Sequence, residues 1–130
     1  METRKNIAAE KKASGRCNCA MAVLSTYSDF TGLDEAVAEN ITYPYAAGMA
    51  NMEGTCGAIV GAGMVLGLST KDRAASMRGM KYIMSEFQRR NGATQCKLLK
   101  GVTTGEVLRE CPDCVADACE LLESLLPSDK

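Results

Sequence analysis

Apolar residues recur along this chain at intervals of three and four, the repeat that lines one face of an α-helix, and rarely alternate with polar ones as a strand requires. Ala, Leu, Met, Glu and Lys dominate, so the pattern predicts an all-α domain. A polar first helix is expected from about Thr3 to Ala13, stopping at Gly15. The second, about Arg16 to Ser28, carries Ala20, Val23, Leu24 and Tyr27 as its apolar stripe. Asp34 starts a third, through about Thr42, with Ala36, Val37 and Ile41 inward, and Tyr43-Pro44 ends it. A further helical turn is expected before Thr55.

Thr55 is a natural cap, so a fourth helix is predicted from Cys56 to about Gly67. Gly57 and Gly61, then Gly63 and Gly67, leave two of its strips nearly bare of side chains. Each glycine costs about 1 kcal/mol in a helix interior relative to Ala, which implies that neighbouring backbones come close and that this helix is central. A fifth helix, capped by Ser69, Thr70 or Asp72, runs to about Arg90 with Met77, Met80, Met84 and Phe87 as its inner stripe. Methionines at that spacing are read as core filling rather than as a copper(I) site. Cys96 falls in a short piece, Thr94 to Lys100. The last helix starts at Cys111-Pro112 and runs to Leu126, with Val115, Ala118, Cys119, Leu122, Leu125 and Leu126 inward. The expectation is one domain, residues 1–130: a compact bundle of about five to six helices around the glycine-rich helix at about 56–67.

A chain of 130 residues can bury a core without staples, so smallness does not explain its seven cysteines. Fifteen basic and sixteen acidic residues leave a formal charge of −1, which argues against a nucleic-acid surface. The apolar run Ala58 to Leu68 is shorter than the roughly 20 residues a membrane span needs. The N-terminal stretch lacks the apolar core of a secretory signal, so a cytoplasmic location is expected. In that reducing setting, cysteines serve metal binding or redox cycling sooner than permanent disulfides.

The chain has no histidine, which excludes Ser-His and Cys-His catalysis, histidine-ligated metals and CxxCH haem attachment. Any chemistry therefore falls to sulfur, carboxylates, Lys, Arg and Tyr. Cys56, at a helix start, sees unpaired N–H groups and the positive end of the helix dipole, which favour thiolate. Cys111-Pro112-Asp113-Cys114 has the CxxC spacing of dithiol oxidoreductases, but without the βαβ setting in which that motif usually works. Cys17 and Cys19 lie two apart and cannot share one helix face. Cys119 and Cys96 have no local motif and read as small buried hydrophobes.

Taken together, Asn18-Cys19-Ala20, Cys56-Gly57-Ala58-Ile59-Val60-Gly61-Ala62, Cys96-Lys97-Leu98-Leu99 and Cys111-Pro112 resemble the redox-active family named for its C_GCAxxG_C_C pattern. The resemblance implies that Cys19, Cys56, Cys96 and Cys111 are the family's four cysteines and that Cys17, Cys114 and Cys119 are extras. It also extends to a domain of split-Soret cytochromes, where an iron-sulfur site accompanies haem; with no CxxCH, no c-type haem is expected here.

Three functions are compatible with these residues. In the first, Cys56 attacks an oxidised sulfur and Cys19, Cys96 or Cys111 resolves the mixed disulfide, with Cys114 as an extra partner of Cys111; a cellular thiol or a partner protein supplies electrons. In the second, Cys19, Cys56, Cys96 and Cys111 form a four-thiolate shell for an iron-sulfur cluster or zinc. In the third, the cysteines only fill the core of a helical interaction module.

Overall fold

The computed structural model describes residues 1–127, and among them the regular structure is helical, apart from one isolated antiparallel bridge between Thr55 and Gln95. Six longer helices are α1 (Lys5–Ala13), α2 (Cys19–Thr26), α4 (Glu35–Thr42), α5 (Gly57–Thr70), α6 (Arg73–Asn91) and α8 (Cys111–Glu123). Two single α-helical turns, α3 (Ser28–Thr31) and α7 (Cys96–Leu99), and a 3-10 turn at Tyr43–Tyr45 add to these. Side-chain caps define three starts: Asn18 accepts from Met21 N–H, Asp34 from Val37 N–H and Asp72 from Ala75 N–H.

Helix α5 is central, packing on α2, α3, α6 and α8, while α1 lies along α8 and α2. Its glycines explain the fit in part. A Cβ on Gly61 would stand 2.6 Å from the Ala20 carbonyl oxygen, and one on Gly57 3.3 Å from the Ala20 nitrogen, so α2 and α5 touch backbone to backbone. Gly63 instead faces the Met80 side chain, and Gly67 faces open space. Into the same core go Leu24, Tyr27, Ile59, Val65, Ile83, Phe87, Leu99, Val115 and Leu122.

Several expected positions move. Cys56 is the cap of α5 rather than its first residue, because Thr55 pairs with Gln95 and Cys56 N–H donates to the Thr94 carbonyl (2.8 Å), which keeps the chain extended up to Cys56. The second predicted helix is split at Tyr27, and Cys17 lies before the Asn18 cap. Ala36, Val37 and Ile41 face outward; Ala38 and Thr42 are the buried positions of α4. Met77 is also outside, since α6 turns Gly79, Ile83 and Phe87 to the core and leaves Met80 and Met84 at its margin.

Between α4 and α5 the expected helical turn exists with the opposite hand. Ala47, Gly48, Met49 and Ala50 all have positive φ (52°, 59°, 63° and 76°). Each L-residue in that conformation costs roughly 1–2 kcal/mol. Hydrogen bonds from Ala50 N–H to the Ala46 carbonyl (2.7 Å) and from Gly54 N–H to the Gly48 carbonyl (2.9 Å) hold the turn closed. Gly48 is required here twice over, because a Cβ would also lie 2.5 Å from the Cβ of Cys96.

Candidate redox site

Four of the helices begin beside one another, and each carries a cysteine at its start. Cys19 opens α2, Cys96 opens α7 and Cys111 opens α8, while Cys56 caps α5. These sulfurs, with Lys12 from the end of α1 and Lys100 from just beyond α7, line one cavity of about 270 Å³. Its remaining wall includes Tyr45, Ala46, the left-handed residues Ala47 and Gly48, and Met52.

Within this cluster the thiols meet in pairs. Cys19 lies near Cys111, and Cys114, one turn into α8, lies near Cys56; the Cys114 thiol also donates to the Arg109 carbonyl (3.8 Å). None of the seven cysteines is joined in a disulfide. In each pair one sulfur favours the thiolate and its partner keeps the proton.

Cys111 is lowered to about 5 chiefly because Cys19 donates to it; burial opposes this, and the charge of Lys100 assists. Cys56 is lowered to about 7 chiefly by the donor Cys114, against burial, with help from the Ala58 N–H, from Lys100 and from the Ile59 N–H. No side-chain cap hydrogen bond forms at Cys56, whose backbone carbonyl accepts from Ile59 N–H (3.0 Å). Cys19 and Cys114 move strongly upward, first because each gives its proton to its partner and second because they are buried. Cys56 is only 2 % exposed, whereas Cys111 is partly open to the cavity.

Lys100 joins the two pairs. Its Nζ lies 3.6 Å from Cys114 Sγ and donates to the Arg109 carbonyl at 3.2 Å. Burial disfavours its charge, but the sulfurs of Cys114, Cys111 and Cys56 outweigh that and raise its pKa overall. No sequence motif marks this residue; its only signal is its place four residues after Cys96.

The sequence-predicted sulfurs are therefore all at this site, arranged differently from the expectation. Cys114, read from the family pattern as an extra, is the partner of Cys56. The two cysteines of the CxxC face different sulfurs, since at this helix start Cys111 looks toward α2 and Cys114 toward α5. Cys96 has no thiol partner of its own; its sulfur donates to Met52 Sδ at 3.7 Å, and burial raises its pKa. Cys17 lies apart in a small pocket with Lys11 and Glu35, and Cys119 is fully buried beside Tyr27, pushed up to about 12 by burial.

Among the described residues no three His, Cys, Asp or Glu side chains gather closely enough to hold a metal ion, so a zinc shell of Cys19, Cys56, Cys96 and Cys111 is not assembled. No described helix is long and apolar enough to cross a membrane. Neither a curated protein nor a solved structure matches the chain. A family model does, across residues 17–125, under the description "Putative redox-active protein (C_GCAxxG_C_C)". That span takes in every cysteine of the cluster, and the chain belongs to the C_GCAxxG_C_C redox-active protein family.

Proposed function

We propose that this protein is a cytoplasmic two-dithiol electron carrier in which Cys111 attacks an oxidised sulfur and Cys19 resolves the product. The observation that carries this reading is the pairing of a thiolate-favouring sulfur with a proton-holding partner, twice, around one lysine at the same cavity. Attack by Cys111 forms a mixed disulfide and releases the reduced half of the substrate as a thiolate. The Cys19 thiol loses its proton to that leaving group and displaces the remaining half, closing a Cys19–Cys111 disulfide. Two electrons have then passed from two thiols to one substrate bond.

The second dithiol restores the first. Cys56 attacks the Cys19–Cys111 disulfide, Cys114 resolves, and a Cys56–Cys114 disulfide remains for a cellular thiol or a partner protein to reduce. The test is thiol titration in graded redox buffers under denaturing quench. The seven free thiols fall by two and then by four as the buffer becomes more oxidising; a count that never changes refutes the dithiol chemistry.

A second reading rests on a separate observation: Cys19, Cys56, Cys96 and Cys111 all border the 270 Å³ cavity. A cluster, unlike a single ion, is bound by sulfurs held apart, and four thiolates are the ligand set for [2Fe-2S] or [4Fe-4S]. Such a cluster would supply one-electron transfer, with Lys12 and Lys100 offsetting its negative charge. Iron and sulfide analysis of anaerobically purified protein decides between the two.

A further inference from the structure

The cavity in front of Cys111 has a chemical character that narrows its substrate, given the dithiol reading above. Lys12 and Lys100 both border it, and no carboxylate does among the described residues. The two ammonium groups offset the thiolate charge that the dithiol reading places there, so a small anion is not repelled. The cavity's volume of about 270 Å³ lies just below the roughly 300–1,000 Å³ of sites for drug-sized ligands, which suits a small reactant.

The rest of the wall is largely apolar. Ala46, Ala47, Gly48 and Met52 face the cavity beside Tyr45, and the Asn18 amide donates to the Thr42 carbonyl (3.1 Å) and accepts from Met21 N–H (2.8 Å). A chain of sulfur atoms suits such a wall, because it is polarisable and needs no directional hydrogen bonds, and it is electrophilic toward thiolate along its length.

From this combination we infer that the site takes a sulfane sulfur carried on a small anion, as in inorganic polysulfide or a small-molecule persulfide, and reduces it to sulfide. Cys111 Sγ bonds to the outer sulfur of the chain, the adjoining S–S bond breaks, and its electron pair leaves on the shortened anion. The product is a persulfide on Cys111. Cys19 gives up its proton and attacks Cys111 Sγ, hydrosulfide leaves with the electron pair and takes the proton, and the Cys19–Cys111 disulfide closes. One zero-valent sulfur gains two electrons, and two thiols lose them.

The experiment uses the reduced full chain, anaerobically, with sodium tetrasulfide and with neutral hydroxyethyl disulfide as parallel oxidants. Tetrasulfide is expected to release sulfide and consume Cys19 and Cys111, and Cys19→Ser is expected to trap one added sulfur atom on Cys111, read by mass spectrometry of the peptide. In Lys12→Gln the ratio of the tetrasulfide rate to the hydroxyethyl disulfide rate is expected to fall at least about threefold. Comparing the two oxidants cancels any general change in thiol reactivity or folding. If hydroxyethyl disulfide oxidises the pair while tetrasulfide does not, or the ratio is unmoved by Lys12→Gln, the inference is overturned and the dithiol reading stands. If neither oxidant consumes a thiol, both fall.

Discussion

Cys111 and Cys114 are three residues apart on the first turn of one helix and face different partners, Cys19 and Cys56 respectively. What resembles one dithiol in sequence is a hinge between two. Helix α8 thereby couples α2 to α5, and Lys100, adjacent to both pairs, gives them a common electrostatic setting.

The Cys19–Cys111 contact sets a pH profile. Unperturbed thiols ionise near pH 8.5, so Cys111 is expected to alkylate with a midpoint near 5 and to be almost fully reactive at neutrality. Cys19→Ala removes the donor that stabilises the thiolate, so the midpoint rises and the rate at pH 6 falls. Iodoacetamide labelling of the Cys111 peptide across pH measures both; an unshifted midpoint in the variant contradicts the pairing.

The central helix offers a matched pair of glycine substitutions. Gly61→Ala drives a methyl to 2.6 Å from the Ala20 carbonyl and should cost about 1–3 kcal/mol through forced separation of α2 and α5. Gly67→Ala meets nothing within 4 Å and should stabilise by about 0.5–1 kcal/mol, because alanine loses less backbone entropy in a helix. Denaturant unfolding of both variants shows opposite signs.

A polar anchor holds the N-terminus to α8. Glu123 accepts from the Tyr27 hydroxyl (2.5 Å), the Arg4 N–H (2.8 Å) and the Thr3 hydroxyl (2.7 Å). Tyr27→Phe removes a bond to a charged acceptor from a fully buried ring and is expected to lower stability by about 1.5–3 kcal/mol, read by chemical unfolding.

The left-handed turn stores strain that glycine relieves. Ala50 is exposed with φ 76°, so Ala50→Gly should raise stability by up to about 1 kcal/mol in the same assay, against glycine's usual effect.

The helices themselves were legible because their apolar repeats are strong, and the glycine spacing of α5 correctly implied close backbones at Gly57 and Gly61. The facing of α4 and α6 was not. Thr42 is polar yet fully buried, its hydroxyl donating to the Ala38 carbonyl at 2.8 Å, so an apolar count turned α4 toward Val37 and Ile41. In α6 the core-facing position is Gly79, where a Cβ would come within 2.7 Å of Leu66, and a residue without a side chain leaves no hydrophobic signal. At the site, the helix-start placement of Cys56 and Cys111 could be read from caps and proline. Which sulfurs meet depends on α2 and α5 both docking beside α8, information that spacing along one chain does not hold. The left-handed turn was hidden too, because alanine and methionine occupy it where glycine or asparagine would announce it.

Disulfide mapping tests the central claim most directly. The full chain, oxidised stepwise by a mild disulfide, acid-quenched and digested, should yield Cys19–Cys111 and Cys56–Cys114 linked peptides, with Cys17, Cys96 and Cys119 recovered as thiols. A Cys111–Cys114 disulfide as the main oxidised product, with Cys19 and Cys56 still free, would contradict the two-dithiol account.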